Sequence, residues 1–286
     1  MAINTHFEQE IERIIADAIR EDVGDGDHSA MACIPADATG KAKLLVKADG
    51  ILAGVDFARK VFHTTDPELN LEVLLEDGSK IKPGDIAFYV QGSSQSILRA
   101  ERLVLNAMQR MSAIATKTRS FVDKLEGTGA KILDTRKTTP GIRALEKWAV
   151  RIGGGGNHRF GLFDMVMLKD NHIDFGGGVQ EAIRKTKRYL EHKNLDLKIV
   201  VEARNIREIE QILEVGGIDR ILIDNFDFKG TQEAVNLING RFETESSGGI
   251  TLETARQYAE CGVDYISSGA LTHSVYNLDL SLKAIE

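Results

Sequence analysis

The stretch KIVVEARNIREIEQILEVGGIDRILIDN, residues 198–225, decides the fold. An apolar run, Ile199–Val201, stops at Glu202. Ile206, Ile209, Ile212 and Leu213 then recur at helical spacing. Gly216-Gly217 breaks that pattern, and a second apolar run, Ile221–Ile223, stops at Asp224. Strand, helix and strand in so short a span make a parallel β/α unit, because parallel neighbours need a crossover.

Working outward, the same rhythm holds from residue 131 to 270. The runs KILDTR, MVMLKD, KIVVEA, RILIDN, RFETESS and DYISSG read as strands. VQEAIRKTKRYLEH, NIREIEQILEV, TQEAVNLING and TLETARQYAEC follow four of them as helices. Six strands, seven if one lies near Asn157–Phe160, are too few for an eightfold barrel, so an incomplete β/α barrel is expected. An open, doubly wound sheet is the alternative. The first third reads differently. Residues 5–20 are an amphipathic helix, residues 41–95 are short strands broken by Asp-Gly and Pro-Gly turns, and residues 97–126 return to helical spacing. The fold class expected is therefore an N-terminal α/β domain (1–114, joined by the tail 271–286) followed by a β/α barrel domain (115–270).

Composition narrows the function. The chain has 286 residues, 42% hydrophobic and 28% charged, which is enough to build a core. With 36 Lys+Arg against 43 Asp+Glu, the net charge of −7 argues against nucleic acid and membrane surfaces as partners. No apolar run is long enough to span a bilayer, and acidic residues stand where a signal peptide would be apolar. Cys33 and Cys261 lack metal-ligand spacing and read as reduced thiols. A cytoplasmic protein is expected.

Yet between Asp134 and His172 the balance reverses, with Arg136, Lys137, Arg143, Lys147, Arg151, Arg159 and Lys169 in one stretch. Such a patch in an acidic chain suits a small anion. The ends of the six runs, Arg136, Lys169, Glu202, Asp224, Ser247 and Ser268, are all charged or hydroxylic. In a β/α barrel they converge on one mouth. Arg136, Lys137, His158, Arg159 and Lys169 form a cationic lobe able to grip carboxylates or phosphates. Glu202 and Asp224 form an acidic lobe able to accept sugar hydroxyls or hold a hydrated Mg²⁺. Ser247-Gly248-Gly249 and Ser268-Gly269 offer backbone N–H groups at helix starts as a phosphate seat. Gly153–Gly156 reads equally as part of that site or as a flexible turn.

The motifs TRKTTPG, GGGGNHRFGLFD, KDNHI, SSGGIT and GVDYISSGALTHS closely resemble the quinolinate phosphoribosyltransferase family. ADGILAG, EDGSKIKPGD, AERLVLNAMQRMSAIAT and LDLSLK extend the resemblance along most of the chain. It implies a homodimer, sometimes assembled further, whose sites are shared between chains. The implied reaction joins quinolinate and phosphoribosyl pyrophosphate, with Mg²⁺, to give nicotinate mononucleotide, pyrophosphate and carbon dioxide. By resemblance, Arg136, His158, Arg159 and Lys169 line the quinolinate pocket, joined by Arg102 of the neighbouring subunit. Lys137 sits between quinolinate and the donor. Glu202 and Asp224 face ribose and metal, and Ser247, Gly248, Gly249 and Gly269 hold the ribose phosphate. Ala113, His28 and Val200 depart from the family pattern, all away from these residues. A relative acting on another aromatic acid, including one associated with molybdenum transport, and a binding protein without turnover are the rival readings. Lys137, Glu202 and Asp224 speak against the second, because capture alone needs no leaving-group side.

Overall fold

All six runs form strands. The structure is a computed structural model that describes residues 2–285, with side chains from His6 onward. In chain order the elements begin α1 (Ala2–Val23), α2 (His28–Cys33), β1 (Thr39–Val46), β2 (Gly50–Ile51), α3 (Val55–Thr65), β3 (Asn70–Val73), β4 (Lys80–Ile81), β5 (Ile86–Ser93) and α4 (Ser94–Lys124). The β/α series follows with β6 (Lys131–Leu133), α5 (Arg143–Ile152), β7 (Val166–Leu168), α6 (Asp170–Gly176), α7 (Val179–Lys193), β8 (Ile199–Ala203), α8 (Ile206–Val215), β9 (Arg220–Asp224), α9 (Phe228–Ile238), β10 (Glu243–Ser247), α10 (Ala255–Glu260) and β11 (Tyr265–Ser267). The chain ends in α11 (Ala270–His273) and β12 (Leu280–Ile285).

Two compact units result: residues 1–119, 138–154 and 271–286 in the first, 120–137 and 155–270 in the second. The second holds a parallel sheet in the order β6-β11-β10-β9-β8-β7. Consecutive strands are neighbours from β7 to β11, and the last pairs with the first, Ser267 opposite Leu133. A doubly wound sheet would reverse at a switch point. None occurs, so the order is that of a barrel wound one way. Between β6 and β7 the chain lays down a seventh, single-pair strand. Gly156 bridges Leu133, donating its N–H to Ile132 O at 2.9 Å and accepting from Asp134 N at 3.1 Å. On the other side of that gap Arg159 Nη1 donates to Met165 O, just ahead of β7, at 3.3 Å.

The first unit carries an antiparallel sheet in the order β12-β1-β5-β3, with the tail strand paired Val46 to Leu280. Its core includes Phe57, Phe62 and Phe88, the last two in edge contact at 5.9 Å. Helix α5 also belongs here. Its apolar face, Ala144, Leu145, Ala149 and Val150, is buried, and Trp148 meets Phe7 of α1 edge-on at 5.7 Å. Glu146, fully buried, takes a 2.8 Å ion pair from Arg110 of α4 and the Thr139 N–H at 3.0 Å. The cations of the 134–172 stretch therefore divide: Arg143, Lys147 and Arg151 lie on α5 of the first unit, while Arg136, Lys137, Arg159 and Lys169 lie in the second. Lys147 is 2% exposed, a core residue.

Gly153–Gly156 is not a loose turn. Gly153 closes α5, and a Cβ there would lie 2.6 Å from Ala115 O and 2.7 Å from Thr118 Cβ of α4. Gly154 turns the chain at φ +93, and Gly156 enters the sheet. Because the clash is with backbone, α4 and α5 must separate to admit a methyl group. Gly153→Ala is expected to lower stability by about 1–3 kcal/mol in denaturant melts. A change below about 0.5 kcal/mol, the range of an ordinary surface substitution, would contradict this packing.

Candidate active site

Side chains on one strand alternate between faces, and parallel partners share a face. Glu202 pairs with Leu222, and Ser247 with Asp224. Glu202, Asp224 and Ser247 thus share one face with Arg220 and Glu245. Val201, Ala203, Ile221, Ile223 and Ile266 fill the opposite face and are buried. The polar residues at the strand ends accordingly sit on the side away from the apolar, helix-covered layer.

The acidic lobe is crowded. Burial, and then the charge of Asp224, hold the Glu202 carboxyl above the usual carboxylate range. Burial likewise raises Asp224, against an Asn225 Nδ2 donor at 2.6 Å and the charges of Lys169 and Lys137. Asp170 adds a third negative charge to both. Lys169 Nζ stands 3.8 Å from Glu202 Oε2, so this lysine faces the acids as well as the pocket. Asp170 and Asn225 were missed by sequence reasoning. Their signal was position alone, each lying one residue past a strand-end charge.

The cationic lobe is crowded in the opposite sense. Arg159 is 7% exposed and makes no ion pair among the described residues. Burial, and then the charge of Arg136, pull its guanidinium below its usual value, with only Asp164 acting against them. Asp164 is itself engaged, accepting the N–H groups of Phe160 at 2.6 Å and Gly161 at 2.8 Å. Arg136 and Lys137 are exposed just beyond β6. His158 lies directly behind Arg159. Its backbone N–H donates to Asp134 Oδ1 at 2.8 Å, and its ring Nδ1 accepts the Arg159 N–H at 2.7 Å. Its Nε2 faces Glu245 Oε2 at 3.2 Å. Asp134 and Glu245 are wholly buried and also escaped the sequence reading, each hidden inside a strand run.

The glycine turns fall where expected. Gly248 (φ +99) and Gly249 (φ +62) need left-handed backbone, and a Cβ on Gly249 would meet nothing within 4 Å. That leaves backbone N–H groups open to a ligand. The helix expected to start there begins only at Ala255, because Thr251 N donates to Thr254 Oγ1 in an intervening turn. Any anion at this end is therefore held by the glycine turn. Ser268 is buried, and its hydroxyl donates to Ile250 O at 3.1 Å, tying the loops after β10 and β11 together. Gly269 follows it. His172 accepts the Lys169 N–H at 3.1 Å and so caps α6. Arg102 lies in the first unit, exposed on α4, with no ion pair among the described residues.

Two profiles of known families match the chain. "Quinolinate phosphoribosyl transferase, N-terminal domain" covers residues 27–112, and the C-terminal domain of the same name covers residues 114–283. A "Quinolinate phosphoribosyltransferase [decarboxylating] 1b" of Nicotiana tabacum is 48% identical, over 97% of this chain and 83% of the relative. A chloroplastic "Nicotinate-nucleotide pyrophosphorylase [carboxylating]" of Arabidopsis thaliana is 46% identical, over 98% and 84%. Among solved structures, NadC from Streptococcus pyogenes superposes with a TM-score of 0.90 at 38% identity, over 96% of this chain and 97% of that one.

The crowded acids carry a stability consequence. A carboxyl raised in the folded state costs stability above that raised value, and the cost fades as pH falls below the unfolded value. Asp224→Asn, without metal or ligand, is expected to raise Tm by about 2 °C near neutral pH, and the gain should vanish toward pH ~4. A Tm gain that persists undiminished into acid would show that this carboxyl is not held high.

Proposed function

The chain belongs to the quinolinate phosphoribosyltransferase family, and from that premise we propose that it transfers the phosphoribosyl group of phosphoribosyl pyrophosphate to quinolinate with loss of carbon dioxide. The product is nicotinate mononucleotide, a precursor of NAD. The observation that carries the assignment of substrate is Arg159. A desolvated guanidinium beside a second cation, with no ion-paired carboxylate among the described residues, is stabilised by an arriving dianion. Quinolinate brings two adjacent carboxylates. A monocarboxylate would answer less of the positive charge at Arg159 and its neighbour Arg136.

The chemistry follows from where the charges stand. The pyridine nitrogen attacks C1 of the ribose as its bond to pyrophosphate breaks, and positive charge grows on the sugar. Glu202 and Asp224 face that charge, and Lys137, whose charge reaches Asp224, attends the leaving pyrophosphate. The ring nitrogen becomes cationic. The bond from C2 to its carboxylate then breaks, leaving the electron pair at C2 beside N⁺, and a proton from solvent completes the product. Orientation and exclusion of water suffice, and no covalent nucleophile is needed. Ser247, Gly248, Gly249 and Gly269 are the backbone seat for the ribose phosphate, with Ser268 holding its loops.

Glu202 and Asp224, two crowded carboxylates with Asp170 close by, fit a divalent cation. Among the described residues no cluster of three His, Cys, Asp or Glu can hold one by protein ligands alone. That suits a Mg²⁺ that keeps its waters and arrives with the donor. When bound, it would neutralise the pyrophosphate charge. Cys33 and Cys261 are free thiols, which fits a reducing compartment, and we place the protein in the cytoplasm. No helix among the described residues is long and apolar enough to cross a membrane.

Two experiments test this reading. Arg159→Lys keeps charge but loses the planar fork, so kcat/KM for quinolinate should fall at least about tenfold. Near-normal turnover would remove Arg159 from the carboxylate site. Arg102 is exposed without an ion pair among the described residues, and we propose that it serves the neighbouring subunit of a homodimer, a unit open to further assembly. Arg102→Ala and Glu202→Ala chains, each nearly inactive alone, are refolded together in equal amounts. Half the chains enter mixed dimers, each with one intact site, so activity should return to roughly a quarter of wild type. Mixed dimers as inactive as their parents would show that Arg102 acts within its own chain.

A further inference from the structure

The polar face of the parallel sheet carries a buried charge relay that the reaction itself does not use. Arg220, on β9, is 7% exposed. Its Nη1 lies 2.8 Å from Glu245 Oε2 and its Nη2 lies 2.9 Å from Glu243 Oε2, with its guanidinium 3.9 Å over the Tyr265 ring. Glu245, on β10, has no exposed surface. Burial acts to raise its carboxyl, but His158, Ser267 and Arg220 together leave it below the usual range. The carboxylate is therefore charged, and one of its oxygens faces His158 Nε2 at 3.2 Å.

The other ring nitrogen settles the tautomer. Nδ1 accepts the Arg159 N–H at 2.7 Å, so it carries no proton, and the ring proton sits on Nε2, toward Glu245. Both nitrogens are thus directed at the protein, and the side chain is only 4% exposed. The backbone of the same residue is fixed by Asp134. His158 is a strut: its ring holds the N–H of Arg159, and the Glu245 carboxylate stands 3.2 Å from its other nitrogen.

We propose that Glu245, anchored by Arg220, is a positioning residue that orients the His158 ring from its Nε2 side and thereby fixes the backbone from which Arg159 reaches toward the substrate carboxylates. The proposal rests on Arg159 binding those carboxylates. His158 acts behind the pocket, giving no proton to the substrate. The outer carboxylate, Glu243, is half-exposed and completes the Arg220 pairing from the rim of the sheet.

The test separates positioning from mere filling of the interior. Glu245→Leu alone leaves Arg220 buried beside a lost partner and is prone to unfold. Arg220→Met with Glu245→Leu removes both charges together, which folded proteins tolerate well. In that double variant the KM for quinolinate should rise about tenfold, while the KM for phosphoribosyl pyrophosphate stays within about twofold. Glu245→Gln, which still offers an oxygen to Nε2–H, should stay within about threefold of wild type for both. Long-range proton–nitrogen NMR of labelled histidine, with His158→Gln to identify the signal, should show a single Nε2–H form in wild type and displaced His158 ring signals in the double variant. A folded double variant with unchanged quinolinate KM overturns the proposal. If wild type does not turn over quinolinate at all, the functional reading fails by itself. The NMR arm then decides, and unchanged His158 ring signals in the double variant overturn the positioning role.

Discussion

Along every strand of the parallel sheet, successive side chains must point to opposite faces, and this constraint organises the second unit. One parity gives Ile221, Ile223, Val201 and Ile266 to the helices. The other gives Arg220, Glu245, Glu202, Asp224 and Ser247 to a face whose upper rim is the candidate site. A one-residue slip of β9 or β10 would exchange the two sets, so register and site are specified together. The face is unusual for a barrel because branched aliphatic residues commonly fill such interiors. Here Arg220 and Glu245 occupy it as a paired charge. Such a pair adds little net stability over an apolar pair, but losing one member costs about 3–5 kcal/mol. That asymmetry favours keeping both and gives His158 a fixed carboxylate to lean on.

Above that layer the charges are deliberately unbalanced. Arg159 and Arg136 repel each other on one side, while Glu202, Asp224 and Asp170 repel on the other. Arg159, Glu202 and Asp224 are each partly desolvated. The apolar layer beneath offsets the resulting instability. Under the proposed function, a dianion on the cationic side and a cation-bearing sugar phosphate on the acidic side would relieve it, making binding energy available where charge changes during reaction.

Much of this was legible in the residues. KIVVEA, RILIDN and the other four runs became strands because apolar stretches bounded by Gly and charge have few other solutions in a β/α chain. Glu202, Asp224 and Ser247 landed on one face because parity leaves no freedom once register is set. Helix α5 was obscured. RALEKWAVRI has helical apolar spacing, but its Arg and Lys drew it into a single cationic stretch with Arg136 and Arg159. Lys147, buried on α5, shows that charge along the chain does not map onto charge in space. Helix α3 was hidden between two strand-like segments, where VDFARKVFHTT was too short to separate from them. Asp134 and Glu245 were invisible for another reason. A carboxylate inside an apolar run has no local partner in sequence, and its partners, the His158 N–H and Arg220, arrive from other strands.

The central claim is that one site joins a dicarboxylate pocket to a phosphoribosyl pyrophosphate site and couples transfer to decarboxylation. A single-turnover experiment with quinolinate labelled in its C2 carboxylate measures this directly. With enzyme in excess, Mg²⁺ and phosphoribosyl pyrophosphate, the account predicts one equivalent of labelled carbon dioxide per nicotinate mononucleotide formed, and none when the donor is withheld. Carbon dioxide released without the donor, or a nucleotide that retains the label, would contradict it.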